Sequence, residues 1–149
     1  MKMTGRQCLL AGAWSSGAAA LLHLGCALVG AEGYRLLGAG ERMAGLAEQG
    51  HWYPLLVTWL IALILAVWSA YALSGASVIR RLPWLRSGLS GIAAVYLLRG
   101  VAFPVIMPAF PENSMTFWIV TSFFSLSIGG FYAVGTYRLG AELSYRHEN

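Results

Sequence analysis

Four side chains in this sequence could do chemistry: Arg99, Tyr96, His23 and Glu32. Arg99 stands inside the apolar stretch Val95-Tyr96-Leu97-Leu98-Arg99-Gly100-Val101-Ala102-Phe103-Pro104, where a charge is expensive and marks a functional candidate. A guanidinium there can hold a carboxylate, a phosphate or a quinone oxygen. Tyr96 lies one helical turn before it and offers a hydroxyl. His23 and Glu32, on the first apolar segment and just past it, supply groups able to move a proton. A buried Arg99–Glu32 pair, joined by His23, would neutralise the charge. The competing reading is structural: an ion pair that locks helices together, or an arginine reaching for lipid phosphate. No residue is assigned a catalytic role, and no His/Cys/Asp/Glu cluster has metal-ligand spacing, so neither a metal nor a cofactor is expected.

The composition says what must position these groups. Of 149 residues, 58% are apolar and only 11% charged, and aspartate is absent. Long apolar stretches rich in Gly and aromatics read as membrane helices. Four segments have the roughly 20 apolar residues a span needs: about 9–30, 54–73, 88–107 and 116–137. The expected fold is an all-α membrane protein, a four-transmembrane-helix bundle in a single integral domain covering 1–149. Val29-Gly30-Ala31 has the small-residue pattern of a signal-peptidase site, but the apolar run before it exceeds the roughly 7–15 residues of a signal h-region.

Charge gives the direction. Lys2, Arg6, Arg80, Arg81, Arg86, Arg138 and Arg146 fall at one end of the spans, while Glu32, Glu41, Glu48 and Glu112 offset Arg35 and Arg42 at the other. The positive-inside rule then puts both termini in the cytoplasm of a multi-pass inner-membrane protein. The net charge of +4 serves topology in this pattern and does not point to nucleic acid. If span three leaves the inner surface near Gly88, Arg99 lies about 17 Å up, in the outer half of the bilayer.

The connections add detail. Glu41 to Glu48 places Met43, Leu46 and Ala47 on one helical face, with Gly40 as N-cap and Gly50 at C′, and reads as a short interfacial helix in the first outer loop. Gly38-Ala39-Gly40 has neither a preceding strand nor a lysine and is not a phosphate loop. Pro104 cannot donate to the Gly100 carbonyl, so span three should kink or end early. Small residues at steps of four suggest packing faces: Ala11, Ser15, Ala19, His23 and Ala27 on span one, and Thr58, Ala62, Ala66 and Ala70 on span two. Thr121, Ser125 and Gly129 do the same on span four, and Gly88 and Gly91 lie on the Arg99 face of span three. Cys8 and Cys26, about 27 Å apart along one helix, cannot pair within the chain.

The segments His23-Leu24-Gly25-Cys26, Gly38-Ala39-Gly40-Glu41-Arg42-Met43, Tyr71-Ala72-Leu73-Ser74-Gly75-Ala76 and Leu97-Leu98-Arg99-Gly100 together resemble a group of small uncharacterised bacterial inner-membrane proteins with four spans. The resemblance covers nearly the whole chain and implies a topology, with no activity to carry over. Three functions follow. The first is a non-catalytic protein that binds a lipid-like or small anionic molecule at an outer-leaflet pocket of Arg99, His23, Glu32 and Tyr96. The second is an accessory subunit that packs against a larger membrane complex; the expected partners are a membrane protein or, as a homo-oligomer, further copies of the chain. The third is a small membrane-embedded enzyme using His23 or Glu32 as acid or base. The bilayer is a partner in all three.

Overall fold

The structure is a computed structural model that describes residues 3–140. Among the described residues it is all-helical. Its order is α1 (Gly5–Val29), α2 (Ala31–Leu36), α3 (Glu41–Glu48), α4 (Trp52–Gly75), α5 (Leu85–Val101), α6 (Phe103–Ile106), a 3₁₀ turn (Met107–Ala109) and α7 (Met115–Arg138). α1, α4 and α7 are long and apolar enough to cross a membrane. α5 with the segment Phe103–Ala109 is a fourth candidate if that pair, bent by 61°, counts as one span.

Local chemistry explains the ends. Thr4 caps α1 in a capping box with Gln7, Ser114 caps α7 by accepting from the Phe117 amide, and His51 Nδ1 accepts from the Tyr53 amide at the start of α4. α3 runs over Glu41–Glu48 from an N-cap at Gly40. Gly50, at φ +69°, closes it while the His51 amide donates back to the Leu46 carbonyl. α5 ends at Val101, three residues before Pro104, where the missing amide would have left the Gly100 carbonyl unserved.

α2 has no counterpart in the apolar pattern. Gly30 takes φ 84°, ψ −141°, a conformation open to glycine, and stops α1 there. The chain then folds back so closely that a Cβ on Gly33 would lie 2.0 Å from the Cys26 carbonyl oxygen. Glycine is required at that contact.

The long helices pack with α1 between α4 and α7, α7 also against α5, and α4 touching α5. Glycines set the spacing. A Cβ on Gly12 would stand 2.9 Å from the Tyr132 ring, one on Gly135 2.7 Å from Leu9, one on Gly100 2.5 Å from Leu126, and one on Gly129 2.9 Å from Leu97. These pairs run in opposite directions along the two chains, so α1/α7 and α5/α7 are antiparallel neighbours whose backbones approach closely. The buried face of α1 carries Cys8, Gly12, Ser16 and Ala20. It is one residue round from the expected ladder of Ala11, Ser15, Ala19, His23 and Ala27, because Gly12 and Ser16 must meet Tyr132. On α7 the buried face is Trp118, Ser122, Gly129 and Tyr132, in place of Thr121 and Ser125. On α5 it is Leu89, Ile92, Ala93, Tyr96 and Gly100; Gly91 faces open space. Both cysteines are buried and free.

Outside this core the surface is strongly apolar. Leu28 is 90% exposed, Val105 82% and Trp14 76%. Apolar exposure on this scale marks a surface that needs a non-aqueous neighbour.

Candidate functional site

Arg99 sits two residues before the end of α5. Its guanidinium carbon lies 5.5 Å from the centroid of the Trp118 ring on α7, a cation–π contact. The glycine contacts place Gly100 beside Leu126, so the Arg99 backbone is level with about residue 127 of α7. Trp118 is nine residues further on, roughly 13 Å at 1.5 Å per residue. The arginine side chain must therefore extend toward the α2–α3 end of the molecule. Its Nη1 is buried without a hydrogen-bond partner. Trp118 Nε1 and Ser122 Oγ, one turn apart on the same buried face of α7, are in the same condition. The guanidinium and the indole N–H can only donate. Among the described residues, no carboxylate comes within ion-pair distance of Arg99.

The expected four-residue convergence on Arg99 does not form. Glu32 is placed on α2 by the chain reversal at Gly30, where its side chain is 78% exposed and pairs with Arg35 Nη1 at 2.7 Å. The Arg99–Glu32 pair is absent for that reason. Arg35 also holds Glu41 at 2.9 Å and Glu48 at 2.8 Å, which ties α2 to α3. Hydrogen bonds from Arg35 hold the Glu41 carboxyl below its ordinary range, and Glu41 and Glu48 in turn raise Arg35. His23 turns back on its own helix, its Nδ1 2.8 Å from the Ala19 carbonyl. A carbonyl only accepts, so Nδ1 is the donor in this contact.

Tyr96 belongs to a second polar centre that residue spacing alone did not reveal. Ser16 Oγ lies 2.9 Å from the Tyr96 hydroxyl and 3.0 Å from the Tyr132 hydroxyl, and Tyr132 donates to the Trp68 carbonyl at 2.9 Å. The proton order follows. Tyr132 spends its one hydrogen on Trp68, so Ser16 donates to Tyr132 and Tyr96 donates to Ser16. The chain joins α5, α1, α7 and α4, and every hydroxyl hydrogen in it has an acceptor. Aromatic rings surround it: Trp68 meets Tyr96 edge to face at 5.1 Å between centroids, and Tyr96 stacks on Tyr132 at 5.8 Å. This centre holds helices together; the Arg99 centre is the one left incomplete.

Trp118 and Ser122 were the missed members. Their signal was the pair Trp118 and Ser122 at a spacing of four, on the helical face that continues to Gly129 and Tyr132. Among the described residues no group of three or more metal-ligating side chains comes together. Comparison with known protein families, with curated proteins and with solved structures finds no match, so the site is read from its own geometry.

Proposed function

We propose that the chain is a four-span inner-membrane protein, with both termini cytoplasmic and α3 at the outer interface, that binds a lipid-like or small anionic molecule through Arg99 without catalysing a reaction. The observation that carries this reading is that, of the four buried side-chain polar atoms without a partner among the described residues, the charged one, Arg99 Nη1, lies against Trp118, which with Ser122 one turn on supplies two more; the fourth, Thr136 Oγ1, stands apart near the other end of α7. Leaving a buried donor unmade costs about 1–3 kcal/mol, and more for a charged one, so a site holding three favours whatever brings acceptors to it. The site residues are then Arg99, Trp118 and Ser122, with Tyr96 holding α5 in place through Ser16. His23 and Glu32 have partners elsewhere and give acid–base chemistry no shared centre. Native mass spectrometry on gently extracted protein tests the reading. Wild type should carry a small molecule or lipid that Arg99→Gln loses; bare protein in both samples contradicts it.

A second reading, accessory subunit, is favoured by one feature. An apolar groove of about 560 Å³ runs between α1 and α4, floored by Gly17, Ala20, Ala62 and Ala66 and flanked by Trp14 and Trp59. Small floors and bulky rims suit a helix from a neighbouring membrane protein. Under this reading a stoichiometric protein would survive extraction, and Ala62→Phe would release it.

A further inference from the structure

The Arg99 site is covered at its α2–α3 end, and exposed apolar side chains lie beside Arg99 on α5; these surroundings select its ligand. At the α2–α3 end the chain folds over Trp118. Asn113 Nδ2 donates to the Gly38 carbonyl at 3.0 Å, and Gly38 lies so close to Phe117 that a Cβ would stand 2.1 Å from the ring. Gly40 approaches Phe110 in the same way, at 3.3 Å. The Phe110 and Phe117 rings in turn cover Trp118, with centroids 6.4 and 5.7 Å from it. Direct approach from water along the helix axis meets this cover.

The flank is different. α5 stops at Val101 and the chain bends away by 61°, leaving Leu98, Val101 and Val105 exposed around the break. A molecule reaching Arg99 by that route crosses apolar surface first. It must also end in acceptor oxygens and negative charge, because the guanidinium and indole N–H groups only donate, the Ser122 hydroxyl can donate as well, and Arg99 is a permanent cation with no carboxylate partner among the described residues. A neutral carbonyl would satisfy the donors and leave the charge uncompensated.

We propose that the ligand is an anionic phospholipid, entering sideways beside the α5–α6 break. Its phosphate oxygens accept from Arg99, Trp118 and Ser122, and its acyl chains lie along Leu98, Val101 and Val105. This inference rests on the ligand-binding reading above and adds the chemical class and the route. A free phosphate shares the oxyanion chemistry but has no chains to carry it across the apolar flank.

The test uses delipidated full-length protein in detergent, titrated separately with dioleoylphosphatidylglycerol, dioleoylphosphatidylcholine and glycerol 3-phosphate, and read by native mass spectrometry. Wild type should take up one phosphatidylglycerol at least about tenfold more tightly than Arg99→Gln, as loss of a charge-assisted hydrogen bond implies. Phosphatidylcholine, whose choline cation offsets the phosphate, should bind more weakly, and glycerol 3-phosphate should show no Arg99-dependent binding. If Arg99→Gln does not fold, as judged by its thermal melt, Trp118→Phe and Ser122→Ala carry the test with losses of a few-fold each. Arg99-dependent binding of glycerol 3-phosphate without preference for the lipid overturns the lipid inference and leaves an anion site standing. Binding of no probe in an Arg99-dependent way overturns both.

Discussion

Removing the Ser16 hydroxyl should damage the protein more than removing the Tyr96 hydroxyl that bonds to it. Ser16 accepts from Tyr96 at 2.9 Å and donates to Tyr132 at 3.0 Å. Ser16→Ala breaks both bonds and strands the Tyr96 hydrogen, on a residue only 8% exposed, without an acceptor. Hydrogen bonds between membrane helices average about 0.6 kcal/mol, so the two lost bonds cost about 1.2 kcal/mol. The stranded donor adds about 1–3 kcal/mol. The total is about 2–4 kcal/mol. Tyr96→Phe loses one bond and strands nothing, because Ser16 still donates to Tyr132 and Tyr132 to Trp68; its cost is about 0.6 kcal/mol. The double variant loses both bonds but has no stranded donor, so it should recover about 1–3 kcal/mol relative to Ser16→Ala alone. Equilibrium unfolding of the four proteins in one detergent, followed by far-UV circular dichroism, measures the ordering. A double variant less stable than Ser16→Ala would refute the proton order and the reasoning built on it.

Gly33→Ala should detach α2 from the end of α1, since its Cβ would fall 2.0 Å from the Cys26 carbonyl; amide exchange over residues 31–36 should accelerate. Gly25→Ala meets nothing within 4 Å and should stabilise α1 by up to about 1 kcal/mol through helix propensity, seen as a higher melting temperature. The α2–α3 clasp should weaken in acid. Arg35 holds Glu41 below its ordinary value of 4.5, so the contribution of Glu41 is complete above that pH and lost as pH falls through the depressed value. Exchange over 31–48, corrected for intrinsic chemistry, should rise as pH falls below about 4.5, and Glu41→Gln should reduce that rise.

The long helices and α3 were legible because an apolar run of membrane length has few alternatives, and because Gly40, Gly50 and Pro104 mark breaks by simple stereochemistry. The packing faces were legible only in part: Thr58 and Ala62 on α4 and Gly129 on α7 are buried as their spacing suggests, but the face of α1 is not the expected one. On α1 the ladder Cys8, Gly12, Ser16, Ala20 is buried, and the ladder Ala11, Ser15, Ala19 beside it is only partly so. Both are made of small residues, and the outside of such a helix is as apolar as its inside, so amphipathicity cannot choose between them. The choice comes from a partner: the Tyr132 ring needs the gap at Gly12 and the hydroxyl of Ser16. Arg99 stood out as a charge in an apolar run, but its surroundings did not. Glu32 looked close because it follows span one directly. The glycines at 30 and 33 turn it away to Arg35, and the reversal depends on a backbone approach that no side-chain pattern encodes.

The most direct test of the central claim is an experimental map of the protein in nanodiscs containing phosphatidylglycerol, examined around Arg99. Headgroup density is expected within hydrogen-bond distance of Arg99 Nη1, with lipid chains at the α5–α6 break. A carboxylate or carbonyl of the chain itself bonded to Nη1, with no external density there, would contradict it.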